Sequence, residues 1–424
     1  MCPGFITVIE DMVVLIRPPC FYMQLSLFDN HNEDKILIDL FQAYFDARKN
    51  KRNTINALAF EKYFEANLFE LHSEIINRHY EPRRSICFIV DRPVKREIFA
   101  ASFRDRVIHH YIFNCISPIF ETRFINDCYS CRKGKGTHYG ISRIDHFIRS
   151  CSNNYSEDCH ILKLDIKGYF MAMNRKLLYD KVDSVLIAEG HKLGLSLPLI
   201  HYLIEKIIFN DPTKNCIIKG DAPDWHGLPN NKSLFHAMPD CGLPIGNLTS
   251  QLFGNIYLTE FDHFVKRDLK IKYYGRYVDD IILIHKNKEY LRTLIPIVAE
   301  YLKKNVELEL HPEKIYLQHY TKGVKFLGAV IKPYRIYIAN RTKGNFYEAI
   351  ERQNEIARDH KPSTEERERF RSSMNSYLGI MKHYKTYDLR KRTIFKNLSA
   401  WWWNYAYLSG GIGKFALKHK PSSP

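Results

Sequence analysis

Apolar residues of this chain change period several times along its length, and each change predicts an element. From Lys35 to Arg48, and again from Phe60 to Arg78, they recur at intervals of three and four, with Leu68, Leu71, Ile75 and Ile76 on one stripe, so both stretches are expected to be amphipathic helices. A basic turn, Arg48-Lys49-Asn50-Lys51-Arg52-Asn53, separates them. Ser85 to Val90 reads as a strand, Pro93 to Ile98 as a hairpin returning through Phe99 to Ala101, and Arg104 to His110 as the opening of a helix. The run Ile161-Leu162-Lys163-Leu164-Asp165-Ile166 predicts a strand, followed by a turn and a helix from about Asn174 to Ala188. A polar segment containing Gly and Pro, Asn210 to Asp240, reads as a surface excursion. A long helix is then expected from Asn247, with Leu248, Leu252, Ile256 and Phe264 on one face.

Composition narrows the class. A chain of 424 residues that is 45% hydrophobic and 26% charged is long enough for one large core or two and is not a disordered polymer. Its 63 Lys and Arg against 47 Asp and Glu give a net charge of +16, which favours a polyanionic partner, nucleic acid first. Residues 341–424 hold 17 of the basic and 8 of the acidic side chains, more than half of the excess. No apolar run reaches membrane-span length, and Met1 to Met23 contains Glu10, Asp11 and Arg17, which suits neither a signal peptide nor a span; a cytoplasmic protein with no membrane partner is expected. Those first residues also fit translation from upstream of a start at Met23. The 10 cysteines are expected to be reduced and mostly buried. Cys128 and Cys131 have zinc-knuckle spacing, but Cys151, Cys159 and His160 do not supply a matching second knuckle, and plain thiols are the better reading.

The chemistry sits at strand ends. Tyr277-Val278-Asp279-Asp280 lies between two strand-like runs, Lys272 to Arg276 and Ile281 to Ile284, and so forms a hairpin with two acids at its turn. Alone, Asp-Asp reads first as an Asp-rich turn that caps a hairpin and only second as a metal site. A third carboxylate, Asp165, ends the earlier strand, and carboxylates crowded in this way repel one another until a divalent cation relieves them.

Leu164-Asp165-Ile166 with Tyr169-Phe170, then Tyr277-Val278-Asp279-Asp280, then Phe326-Leu327-Gly328 resemble, in order, spacing and flanks over roughly residues 80–395, the reverse transcriptase family. The resemblance implies an α/β right-hand polymerase: an N-terminal extension with helices at 1–79, fingers at 80–160, and an antiparallel-sheet palm at 161–340 with a fingers insert at 175–240. A helical thumb at 341–400 and a basic tail at 401–424 complete it. It implies RNA-directed DNA polymerase activity with two Mg2+ ions, Asp165 and Asp279 as ligands, Asp280 in support and the Ile166 carbonyl assisting. Phe170 matches the aromatic that excludes a 2′-hydroxyl, Lys314 the lysine that protonates pyrophosphate, and Phe326-Leu327-Gly328 the primer grip. Arg96 matches a basic residue on the triphosphate. Arg132-Lys133-Gly134-Lys135-Gly136 stands where relatives carry an Arg-Pro-Gly segment, its glycines suited to close approach of phosphate.

Gly242-Leu243-Pro244-Ile245-Gly246-Asn247-Leu248-Thr249-Ser250-Gln251 discriminates within the family. Most members carry Gln-Gly and Ser-Pro, whereas Ile245-Gly246 and Ser250-Gln251 resemble the enzymes of diversity-generating retroelements. Tyr377-Leu378-Gly379, Lys382-His383-Tyr384 and Arg390-Lys391-Arg392 resemble their thumb. That subtype implies errors concentrated at template adenines, targeted protein diversification, and a small basic helical-bundle accessory protein beside the template RNA, the RNA/DNA duplex and dNTPs. The basic residues Lys133, Lys135, Arg390, Lys391 and Arg392 are the expected contacts to nucleic acid. Trp401-Trp402-Trp403 reads as core, stacking platform or partner anchor. The rival readings are a retron-like or antiphage reverse transcriptase, although the retron Val-Thr-Gly element is missing between 341 and 400, and a non-catalytic RNA-binding scaffold. The short stretch after the thumb leaves no expected room for an added nuclease domain.

Overall fold

The computed structural model describes residues 31–49, 54–91, 94–193 and 196–418. Met1 to Met23, the middle of the basic turn at 50–53 and Pro93 lie outside the described residues. The protein is a mixed α/β fold of helices and largely antiparallel sheets.

A sheet with strand order β5-β6-β3-β7 positions the acids. Its strands are β3 (His160–Asp165), β5 (Tyr273–Tyr277), β6 (Asp280–His285) and β7 (Tyr316–His319). All its pairings are antiparallel, and Asp165 lies directly opposite Asp280 at the end of the β3–β6 ladder. One face packs on helices Phe103–Arg123, Leu248–Tyr257 and Lys288–Val306, burying Leu162, Leu164, Ile281 and Leu283. The other face, through Ile161, Ile282 and Ile284, covers helix Thr137–Cys151 and a sheet of β8 (Val324–Phe326), β9 (Ala329–Lys332) and β10 (Arg335–Ile338). Alternation along the strands therefore feeds two cores at once.

The N-terminal helices His31–Arg48 and Phe64–Ile76 bury their predicted stripe, Leu68, Leu71 and Ile75, in the first core. The hairpin of β1 (Ile86–Val90) and β2 (Arg96–Ala100) forms as expected. Helix starts obey their caps: Ser102 accepts from the Asp105 N–H, and Asn174 from the Leu177 N–H at the head of helix Arg175–Glu189.

The structure corrects three expectations. The helix expected to run from Asn247 through Phe264 stops at Tyr257. Leu258 leaves helical geometry at φ −104°, ψ 9°, a short helix Thr259–His263 follows, and 264–268 form a wider turn. Ile256, Tyr257, Leu258 and Phe261 are all buried, so this stretch is covered on more than the one face that the pattern assigned to it. Asn210 to Asp240 is not only a surface excursion: β4 (Ile217–Ile218) extends the β2-β1 sheet, pairing in parallel with β1. The buried Glu97 carboxylate receives the Trp225 Nε1–H, the Ser233 hydroxyl and the Leu234 N–H at 2.7, 2.9 and 2.6 Å. Finally, the expected tail is structured to residue 418. Helix Ala400–Tyr405 and the hairpin β11 (Ala406–Ser409) and β12 (Lys414–Leu417) share one core with helices Asn340–Asp359, Thr364–Met381 and Tyr387–Asn397. Trp402 is fully buried there against Phe370, so this tryptophan is core.

Candidate active site

Two strand ends and a loop build the site. β3 delivers Asp165. The β5–β6 hairpin closes with Tyr277 opposite Asp280, leaving Val278 and Asp279 as its turn. Val278 holds φ +56°, a region a β-branched residue occupies at a cost of roughly 1–2 kcal/mol, so the surroundings must hold the turn. Arg276 does so: fully buried, it donates Nη1–H to the Val278 carbonyl at 3.0 Å and grips Asp262 through Nε and Nη2 at 2.7 and 2.6 Å. Tyr274 adds its hydroxyl to the same Asp262 carboxylate at 2.5 Å. The Ile166 N–H donates to the Asp279 carbonyl at 3.3 Å, tying the turn to the end of β3.

On the other side of β3, the His311 N–H donates to the Asp165 carbonyl at 2.8 Å, and Ile166 bridges to Leu310. This clip places Lys314, whose ammonium donates to Asp165 Oδ1 at 2.8 Å. Lys163, two residues before Asp165 and on the same face of the strand, pairs with Asp280 Oδ1 at 2.6 Å. Burial first, then the charges of Asp280 and Asp165, push the Asp279 carboxyl up to about 6, against a smaller opposing pull from Lys314. A carboxylate that resists ionisation beside two others is the electrostatic condition that a divalent cation relieves. Among the described residues, no three His, Cys, Asp or Glu side chains stand in metal-holding array, and ammonium groups neutralise Asp165 and Asp280. The oxygen-only donor set fits hard cations such as Mg2+, provided the lysines withdraw.

A second cluster adjoins the helix turn after β3. Phe170 and Ile245 pack with Phe99, Leu234, Met171 and Cys87. The Leu243 N–H donates to the Phe170 carbonyl at 2.8 Å and the Phe99 N–H to the Ile245 carbonyl at 2.9 Å, so the 242–247 loop sutures β2 to this turn. Gly246 is required for that approach: at φ +128°, an added Cβ would lie 2.9 Å from Ile98 Cγ2 and 3.1 Å from the Phe99 carbonyl oxygen. Arg96 is exposed at the start of β2, opposite Val90. Leu327 and Gly328 form a two-residue hairpin turn between Phe326, the last residue of β8, and Ala329 of β9, with Leu327 at φ +47° and Gly328 at φ +81°. Phe326 is buried edge-on against Tyr129.

Two expected contacts to nucleotide or nucleic acid point elsewhere. Arg132 is committed to its own loop, donating to Glu121, the Ile125 carbonyl and the Cys128 carbonyl at 2.9, 2.7 and 2.9 Å, with its side chain only 7% exposed. Arg390 is buried and donates to the Ile412 carbonyl at 2.6 Å, because the structured C-terminal hairpin covers it. Lys391 and Arg392 beside it are exposed, as is Lys133. Lys135 donates to the Asn126 carbonyl and side-chain oxygens at 2.6 and 2.7 Å. The segment around His383 reaches that basic turn, the His138 and His383 rings lying 3.9 Å apart. Cys128 is buried beside Asn255, and Cys131 is exposed, donating to Gln251.

Lys163, Arg276 and Asp262 are the residues that sequence reasoning missed. Lys163 carried a signal, since strand alternation puts it on the face of Asp165. The pairing of Arg276 with Asp262 carried none.

Residues 94–331 match the family model described as reverse transcriptase (RNA-dependent DNA polymerase). Protein YkfC of Escherichia coli (strain K12) is 22% identical over 308 residues, covering 65% of this chain and 73% of that protein. Among solved structures, apo telomerase from Candida tropicalis truncated from the C-terminal domain is 14% identical at a TM-score of 0.41, over 63% of this chain and 59% of that one. Telomerase from the same organism in complex with a TWJ fragment of telomeric RNA is 13% identical at 0.43, over 77% and 57%. The chain thus spans less than two thirds of the length of these telomerase chains.

Proposed function

The chain belongs to the reverse transcriptase family, and from that premise we propose that it copies a template RNA into DNA at Asp165, Asp279 and Asp280. The observation that carries this reading is the meeting of the three carboxylates at adjoining strand ends, with Lys314 on Asp165. In this reading the β5-β6-β3-β7 sheet is the palm, the β1–β2 hairpin with the 210–240 segment belongs to the fingers, and the helices from Asn340 form the thumb. Asp165, Asp279 and the Ile166 carbonyl would hold two Mg2+ ions, with Asp280 in support. Bound there, the ions supply Lewis acidity for the primer hydroxyl and for the leaving diphosphate. Lys314, released from Asp165, protonates the diphosphate. Arg96 contacts the triphosphate, and the Leu327–Gly328 turn holds the primer end. Lys133, Lys391 and Arg392 remain the exposed cations for nucleic acid, whereas Arg132 and Arg390 serve the fold. The test is extension of a DNA primer on a defined RNA template with Mg2+ and dNTPs: a full-length cDNA is expected, and absence of any extension overturns the reading.

Phe170 serves as the gate against ribonucleotides. Phe170→Ala should raise rNTP incorporation relative to dNTP by at least tenfold in single-nucleotide extension, since it removes the bulk under the 2′ position. An unchanged ratio at comparable activity would remove Phe170 from that role.

The subtype reading is a diversity-generating enzyme that is error-prone at template adenines and works with a small basic accessory protein. It rests on Ile245-Gly246 and Ser250-Gln251. Ile245 supplies contact area to the Phe170 cluster and no directional hydrogen bond from its side chain. Loss of one or two hydrogen bonds, each about 1 kcal/mol, relaxes discrimination between base pairs. Ile245→Gln should therefore lower misincorporation opposite adenine while sparing other template bases, as read by deep sequencing of cDNA from one RNA. Equal adenine error rates would place infidelity elsewhere.

A further inference from the structure

Beside the carboxylates, on the face of β3 that carries Lys163, lies a cleft of about 430 Å3 between β3, β7 and the β8–β9 hairpin. Four lysines line it, Lys163, Lys314, Lys322 and Lys325, together with Tyr316 and Gln318, and no carboxylate is among its lining residues. Lys163 and Lys314 are already paired with Asp280 and Asp165, whereas Lys322 and Lys325 are exposed, and the concentration of positive charge along the cleft favours an anion there. Lys163 spans the cleft: its ammonium meets Asp280 Oδ1 at 2.6 Å and also donates to the Lys325 carbonyl on β8 at 3.4 Å. Its side chain is 18% exposed and that of Asp280 25%, so solvent and ligand can reach the pair.

The lining residues choose the anion. Lys163, two residues before Asp165, lines the cleft, whereas Phe170 and Ile245 are not among its lining residues. Lys325 lies on β8, whose end is the Phe326-Leu327-Gly328 turn. A strand whose 3′ end is at the carboxylates and whose body is held at that turn must pass this cleft.

We propose that the lysine-lined cleft binds phosphodiester oxygens of the strand being extended, and that Lys163 transfers from Asp280 to a strand phosphate, freeing Asp280 when the strand is seated. This rests on the polymerase reading above. Lys163 is a positioning residue: before the strand binds it neutralises Asp280, and afterwards its charge is used by the phosphate, so Asp280 is freed of its counter-charge only with a strand in place. Lys322 and Lys325 supply further phosphate contacts.

The experiment measures binding of a primer–template duplex to the full chain over a range of salt concentrations, for the wild type and for the Lys322→Ala/Lys325→Ala double variant. Wild-type extension and its inhibition by inorganic pyrophosphate are assayed alongside. Two lost phosphate contacts should flatten the log–log salt slope by roughly 1.5–2 and leave pyrophosphate inhibition unchanged. An unaltered slope overturns the inference, and weakened pyrophosphate inhibition with an unaltered slope assigns the cleft to the leaving diphosphate instead. Failure of the wild type to extend would instead sink the polymerase reading. A second variant, Lys163→Gln, tests the transfer. Mn2+ binding by the nucleic-acid-free protein, read by electron paramagnetic resonance, should tighten by up to about fivefold while duplex binding weakens. Both affinities falling together, or neither moving, would show that Lys163 does not couple them.

Discussion

Asp279→Ala should lower DNA synthesis at saturating Mg2+ by a factor of about a thousand or more, with the melting temperature unchanged or raised. Lewis-acid stabilisation of the reacting phosphoryl group contributes several kcal/mol, and each 1.36 kcal/mol is a factor of ten in rate. The stability side of the expectation follows from the site's own repulsion. In the protein alone, burial and the charges of Asp280 and Asp165 push the Asp279 carboxyl up to about 6. The folded-state value thus lies above the ordinary one of 3.8, so near neutral pH ionised Asp279 opposes folding and its removal relieves the fold. Single-turnover extension and thermal melting of the same preparation check both halves. A variant retaining a tenth or more of wild-type synthesis, or one that loses activity only because it has unfolded, would not fit.

The second large effect is on stability. Asp262→Ala should destabilise the protein by roughly 3–5 kcal/mol, because it leaves the guanidinium of Arg276 buried without its carboxylate. Arg276 and Asp262 are both 0% exposed, and the Tyr274 hydroxyl loses its acceptor as well. The damage should reach the site, since Arg276 also holds the Val278 carbonyl in the turn that presents Asp279. Urea or thermal unfolding measures the loss; a change below 1 kcal/mol would mean that the pair does not anchor the hairpin.

What could be read from the sequence follows from how local each signal is. Asp165, Asp279 and Asp280 sit at the ends of strands whose periodicity is written in consecutive residues, so their placement at adjoining strand ends was legible. The same holds for the β1–β2 hairpin. Glu97 shows the limit of that logic. On β2 it shares a face with Phe99, as alternation requires, yet a carboxylate there reads as solvated until Trp225, Ser233 and Leu234 arrive from more than a hundred residues away to receive it. Arg132 and Arg390 fail for the same reason. A basic residue in a Gly-rich turn or a basic helix advertises phosphate, and only the tertiary fold reveals that Glu121 and backbone carbonyls have already taken its donors. The helix expected through Phe264 was read from a one-stripe pattern, where the chain is covered on more than one face. The C-terminal hairpin was hidden by composition, as Lys414 and Lys418 made a structured segment look like a solvated tail.

The central claim, that Asp165 and Asp279 form the divalent metal site of a polymerase, is tested most directly by iron-mediated backbone cleavage of the full chain. Fe2+ replacing Mg2+, with ascorbate and peroxide, cuts the chain where the ion sits, and fragment masses locate the cuts. Cleavage is predicted beside Asp165–Ile166 and Val278–Asp280, suppressed by excess Mg2+ and lost in Asp279→Ala. Cuts confined to other parts of the chain, or an unchanged pattern in Asp279→Ala, would contradict it.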